Sequence, residues 1–140
     1  MKIILGLSIM FSSWFIINQD ENKPHIERRV SSHYVSYDRA LDIAKHSNKT
    51  IMIKLTAEHC KYCKKMDREV MNKKEVLSLL DKSFIPVEID VDREPLPLGL
   101  KRTITPTFVF VDKNQRILSK IPGSWNKKDF LELLTSRVYN

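Results

Sequence analysis

The sequence predicts an α/β domain: a central mixed β-sheet flanked by helices, assembled as a βαβ unit followed by a ββα unit. Three observations predict it. A short apolar, β-branched stretch, Ile51 to Thr56, runs into a helix that opens on Cys60-Lys61-Tyr62-Cys63. A second strand, Ile85 to Val91, alternates strictly, with Ile85, Val87, Ile89 and Val91 on one face. Thr107 to Asp112 and Arg116 to Ile121 then read as a hairpin turned by Lys113-Asn114-Gln115.

The remaining elements follow in order. Ser36 to Ala40 reads as an N-cap and first helical turn; Tyr37, Ala40, Leu41 and Ala44 recur at helical spacing, and Ser47-Asn48-Lys49 ends the helix. The helix from Cys60 carries Cys63, Met66 and Val70 on one face. Asn72, with Glu75 three residues on, is the expected cap of a further helical segment containing Val76, Leu77, Leu79 and Leu80. Arg93 to Leu100 holds Pro95, Pro97 and Gly99 and is a loop or a broken turn. After Pro122-Gly123, Asn126 caps a last amphipathic helix with Phe130, Leu131, Leu134 and Val138; Trp125 is expected in the core or at its rim.

At 140 residues, 42% hydrophobic and 29% charged, the chain has the composition of one folded domain rather than of a disordered segment. Its net charge of +7 is spread out, with no aromatic–basic interleaving, so nucleic-acid binding is not expected. Acidic partner proteins and anionic membrane surfaces stay open. Residues 1–18 differ from the rest. Lys2 precedes the apolar run Ile3 to Ile17, broken only by Gly6 and three serines. That run is within the range of a secretory signal and short of the roughly 20 residues of a spanning helix. No clear cleavage site and no lipid-acceptor cysteine follow, and Lys23, Arg28 and Arg29 lie on the far side, against the positive-inside expectation. The expectation is an export signal, either cleaved or kept as an anchor, with a buried N-terminal helix as the alternative. Residues 19–32 then form a polar tether and residues 33–140 the domain.

Both cysteines of the chain lie in the one motif, so they serve chemistry or a metal rather than a disulfide framework. A thiolate is the nucleophile in disulfide exchange, and free N–H groups with the positive end of the helix dipole favour it at a helix start. Two intervening residues bring the second sulfur to the first across one turn, so Cys60–Cys63 can close and reopen as a disulfide. Cys60 is the candidate attacking thiol and Cys63 the resolving thiol, with Lys61, Lys64 and Lys65 adding positive charge. His59 either tunes the Cys60 thiolate or is merely an exposed polar residue. Zinc would normally want two more ligands at matching spacing. If the pair serves redox chemistry, no metal and no cofactor are needed, because the disulfide itself carries the electrons.

The strand running into Ala57 to Lys64, the Glu88-Ile89-Asp90-Val91-Asp92 strand, and Thr105-Pro106-Thr107-Phe108 at the head of the next strand resemble the thioredoxin superfamily, over Tyr34 to Val138. The likeness is to exported bacterial thioredoxin-like proteins. It implies a thioredoxin-like fold with Pro106 cis and against the CxxC, and Thr105 pairing its backbone with an extended substrate peptide. Tyr62 before the second cysteine and Thr105 before the proline are similar to periplasmic disulfide isomerases and reductases. The substrate-contacting set is then Thr105, Pro106, Tyr62 and His59.

The sequence departs from that family in two places. His59 stands where tryptophan is common. Lys54 stands where a buried acid of the central strand manages the resolving thiol's proton, and Glu88 stands where its lysine partner would be. With these charges exchanged, Glu88 is the acid expected within reach of Cys63, held by Lys54; the alternative is a solvated face with a weak surface pair. The resemblance implies a thiol-disulfide oxidoreductase, a reductase or isomerase, acting on protein disulfides or dithiols in the periplasm or cell envelope and recharged by a membrane redox partner. The rivals are a Cu(I) carrier using Cys60, Cys63 and His59, and a thioredoxin-fold binding module without turnover.

Overall fold

A computed structural model describes residues 33–138. The expected export segment and tether, residues 1–32, lie outside the described residues. Helix α1 (Tyr37–Lys45) starts on Ser36, whose hydroxyl accepts from Arg39 N–H at 3.3 Å. It leads into β1 (Thr50–Thr56) and then α2 (Lys61–Met66), which continues as a π-helical turn (Asp67–Met71). Helix α3 (Lys74–Ser83) leads directly into β2 (Phe84–Asp90). Strands β3 (Thr107–Val111) and β4 (Ile117–Pro122) form the expected hairpin, and α4 (Lys127–Val138) closes the order. Asn126 caps α4, its Oδ1 accepting from Asp129 N–H at 2.9 Å while its amide donates to the Asp129 carboxylate.

The sheet has strand order β2-β1-β3-β4, with β1 and β2 parallel and the other neighbours antiparallel. It separates two apolar layers. On one face Ile51, Ile53, Leu55, Val87, Ile89, Val109 and Val111 meet Ala40 and Ala44 of α1, with Leu100 reaching in from the loop before β3. No helix is formed between β2 and β3; Leu96, Leu98 and Leu100 of that loop complete the layer. On the other face Met52, Phe84, Phe108 and Phe110 pack against Met66, Val70 and Met71 after the CxxC, against α3, and against Phe130 and Leu134 of α4. Phe130 and Leu134 are four residues apart on one helix face and fully buried. Each such side chain contributes about 2 kcal/mol of burial free energy.

The π-helical turn was not foreseen, and it displaces an expected cap. The wider turn lets Asn72 N–H bond back to Asp67 C=O at 3.1 Å. Asn72 therefore closes the preceding helix. Lys73 begins α3 without a side-chain cap bond, and no protein group hydrogen-bonds the Asn72 amide. Among the described residues, no helix is long and apolar enough to cross a membrane.

Candidate active site: a CxxC pair above a buried lysine

Cys60 is the N-cap of α2, the first position at which the helix offers unpaired N–H groups, and its Sγ accepts from Cys63 N–H at 3.1 Å. The two cysteines are disulfide-bonded, with Cα atoms 5.2 Å apart. Cys60 is 9% exposed and Cys63 only 2%. Cys60 is thus the less enclosed of the two buried cysteines. Lys61, Lys64 and Lys65 are exposed, as is His59, and the Lys61 ammonium lies over the Tyr62 ring, 5.1 Å from its centroid.

The strand register brings the other expected residues to the same end of the sheet. Leu55 of β1 pairs with Thr107 of β3, so Pro106 lies beside the strand end from which the chain turns into Cys60. The Thr105–Pro106 peptide bond is cis. Pro106 C=O accepts from Gly123 N–H at 2.8 Å, and the Thr107 hydroxyl donates to Ile104 C=O at 2.7 Å, so the loop is held on both sides. Tyr62 and Ile104 are 53% and 64% exposed, apolar side chains on the two segments that frame Cys60. Ile104 was not singled out in the sequence; only its place before Thr105-Pro106 pointed to it.

Asp92 ties the turn before Cys60 to the segment before Pro106. Its Oδ2 accepts from Glu58 N–H at 3.3 Å while its Oδ1 pairs with Arg102. Arg93 pairs with the Glu58 carboxylate, and Val91 N–H bonds to Thr56 C=O at 2.9 Å.

Beneath the helix the site departs from a solvated face. Lys54 is completely buried. The β1–β2 register sets it directly opposite Glu88, and its Nζ donates to Glu88 Oε2 at 2.6 Å. The same ammonium donates to Asp67 Oδ1 at 2.5 Å. A solvated face is thereby excluded at Lys54, and a buried ammonium has to be matched by carboxylates to be tolerated. Glu88 is also not the only acid on Lys54, because Asp67 joins the cluster. The signal for it was in the sequence, since Asp67 stands four residues after Cys63, one helical turn on.

Tyr34 completes the cluster, with the Lys54 ammonium 5.7 Å from its ring centroid. Its hydroxyl is buried, and no protein group hydrogen-bonds it. Burial, reinforced by the negative charges of Glu88 and Asp67, raises its pKa well above the usual tyrosine value. A group whose pKa is higher in the folded state contributes stability that is intact below the unfolded value, near 10.0, and lost as pH rises beyond it. The domain is therefore expected to lose about 1.4 kcal/mol per pH unit above pH ~10 through Tyr34. Tyr34→Phe removes that slope while leaving neutral-pH stability unchanged or raised. Urea melts at successive alkaline pH values check it; equal slopes in both proteins would refute the assignment.

Among the described residues, no three histidine, cysteine, aspartate or glutamate side chains gather as a metal site. Residues 37–137 match the thioredoxin-like domain family. The chain belongs to that family. It is similar to a thioredoxin from Thermus thermophilus, with 29% identity and a TM-score of 0.65 over 75% of this chain and 85% of that one. It is also similar in fold to the DsbH oxidoreductase, with 21% identity and a TM-score of 0.65 over 76% of this chain and 83% of that one. Among curated proteins it resembles anterior gradient protein 3 of Mus musculus, 24% identical over 93 residues, which are 66% of this chain and 56% of that protein. The thioredoxin-like chain thus spans little more than half the length of that relative. Within that family domain the Cys60–Cys63 disulfide stands at a helix start.

Proposed function

We propose that the protein exchanges disulfides with other proteins in the cell envelope, working as a reductase or isomerase. The observation that supports this best is the unequal placement of the two cysteines: Cys60 at the helix start and the less enclosed, Cys63 within the first turn and more deeply buried. The reduced Cys60 thiolate attacks one sulfur of a substrate disulfide. A Cys60–substrate disulfide forms and the other substrate sulfur leaves as a thiolate that takes a proton from water. Cys63 then loses its proton to a carboxylate of the Lys54 cluster and attacks Cys60 Sγ. The Cys60–Cys63 disulfide forms, and the second substrate sulfur departs as a thiolate that takes up a proton. Two electrons pass from the protein to the substrate. Thr105 and Pro106 hold the substrate backbone, and Tyr62, Ile104 and His59 touch its side chains.

Residues 1–18 support the envelope location through their signal-like apolar run. In an oxidising compartment a reductase has to be recharged, and a membrane thiol partner is the class of protein that does so. The test is catalysed reduction of a protein disulfide together with the reduction potential of the Cys60–Cys63 pair. The reduced protein should accelerate the reduction and Cys60→Ser should abolish the acceleration. A potential near about −270 mV supports a reductase, whereas one near about −120 mV would overturn that direction in favour of an oxidant. No acceleration by the wild-type protein, or full activity in Cys60→Ser, would overturn the proposal as a whole.

A further inference from the structure

We infer that Asp67, one helical turn beyond Cys63, is the group that takes the Cys63 proton, and that Glu88 keeps Lys54 matched while it does so. This rests on the exchange reaction proposed above. Asp67 N–H bonds to Cys63 C=O, so the two residues stack along one helix. Side chains four apart share a face, with Cβ atoms about 5–6 Å apart. Each Cα–Cβ bond tilts towards the helix N-terminus, which leans the Asp67 carboxylate back over the turn that carries Cys63. The carboxylate points inward, because it reaches the buried Lys54 ammonium, and Cys63, four residues earlier, is buried as well. The Asp67 side chain is still 27% exposed, so a proton it receives can pass on to water.

The charge count explains why two acids flank one lysine. With Glu88 alone, protonating the acid would leave the buried Lys54 ammonium with no counter-charge, which is heavily penalised. With both acids present the cluster carries one net negative charge. Moving the Cys63 proton onto Asp67 leaves a neutral carboxylic acid beside an intact Lys54–Glu88 ion pair. The proton leaves sulfur, the Cys63 thiolate forms its bond to Cys60 Sγ, and the bond from Cys60 to the substrate sulfur breaks. No further reactant is required. Glu88 reaches the cluster from β2, and no backbone bond ties it to the helix that carries Cys63.

The experiment uses a chromogenic aromatic disulfide with the reduced protein. The first thiol released reports attack by Cys60, and the second reports attack by Cys63 on the mixed disulfide. In Asp67→Asn the second step should slow about 100-fold at neutral pH and become proportional to hydroxide, with the deficit closing as pH passes the ordinary thiol range of about 8.5. The first step should stay as in the wild type, and Asp67→Glu should restore the second. Glu88→Gln should slow the second step too, because a proton on Asp67 then leaves the ammonium unmatched, so each acid is also removed together with the lysine. Lys54→Met with Glu88→Gln should keep a fast second step, since the proton acceptor is still there and no cation is stranded, whereas Lys54→Met with Asp67→Asn should not. A second step unchanged in Asp67→Asn, or slowed more by Lys54→Met with Glu88→Gln than by Lys54→Met with Asp67→Asn, would overturn the inference. If the Asp67→Asn variants fail to fold by circular dichroism, Asp67→Glu and Lys54→Met with Glu88→Gln decide: a loss of about 100-fold in that double variant overturns it, and a smaller loss with an active Asp67→Glu supports it. A missing first step in the wild type would instead overturn the exchange reaction itself.

Discussion

Cys63→Ser should convert the protein into a trap that stays covalently joined to its substrates. In the wild type the Cys63 sulfur is held against Cys60 Sγ by the first turn of α2, so release of the substrate is intramolecular. Without it, the mixed disulfide waits for a thiol from solution. Effective molarities for well-placed intramolecular groups are far above any free thiol concentration, so turnover should fall by at least about 1,000-fold. The adduct should be visible as a higher-mass species on a non-reducing gel, collapsing on reduction, with Cys60 as the linked residue by mass spectrometry. Cys60→Ser should give no comparable adduct, because Cys63 is shielded. An adduct through Cys63 in that variant, as abundant as the one through Cys60, would reverse the roles of the two thiols.

Lys54→Met should destabilise the domain more than any other change at the site that spares the cysteines. Methionine fills much of the volume of the buried lysine stem but leaves Asp67 and Glu88 facing one another with no cation between them. Breaking a buried charge pair by removing one partner costs about 3–5 kcal/mol. Because the two carboxylates are 27% and 34% exposed and keep some hydration, the loss should fall at the low end, about 3 kcal/mol. For a domain of this size that lowers Tm by roughly 10 °C. Lys54→Met combined with Glu88→Gln should recover part of the loss, since only one carboxylate then lacks a partner. Thermal melts of the three proteins measure it. A single variant that melts with the wild type would show that the ammonium and its two acids contribute nothing net to folding.

These expectations depend unequally on sequence and on structure. The strand-to-CxxC junction, the alternating β2 and the β3–β4 hairpin were legible, because each is written in a local period or turn signal. The end of α2 was not. The π-helical turn at Asp67–Met71 leaves no distinctive composition, and the Asn72-to-Glu75 spacing resembled a helix start. The polarity of Lys54 left two readings open for a different reason. Period-two alternation places it on one face of β1, but says nothing of whether helix or water covers that face.

By itself the sequence determined the α/β order, the pairing of the only two cysteines within one helical turn, and the exchange of charge at positions 54 and 88. The first two are matters of residue type and short spacing, and the third is read against the family the chain resembles. Only the tertiary structure decided that Lys54 is fully buried, that Asp67 joins Glu88 on it, and that the Tyr34 hydroxyl lies in the interior beside them. That cluster draws one residue each from β1, β2, the end of α2 and the segment before α1. Its chemistry depends on burial and on distances of a few ångströms between segments far apart in the chain, which arise only when the parallel β1–β2 register and the covering helix are both in place.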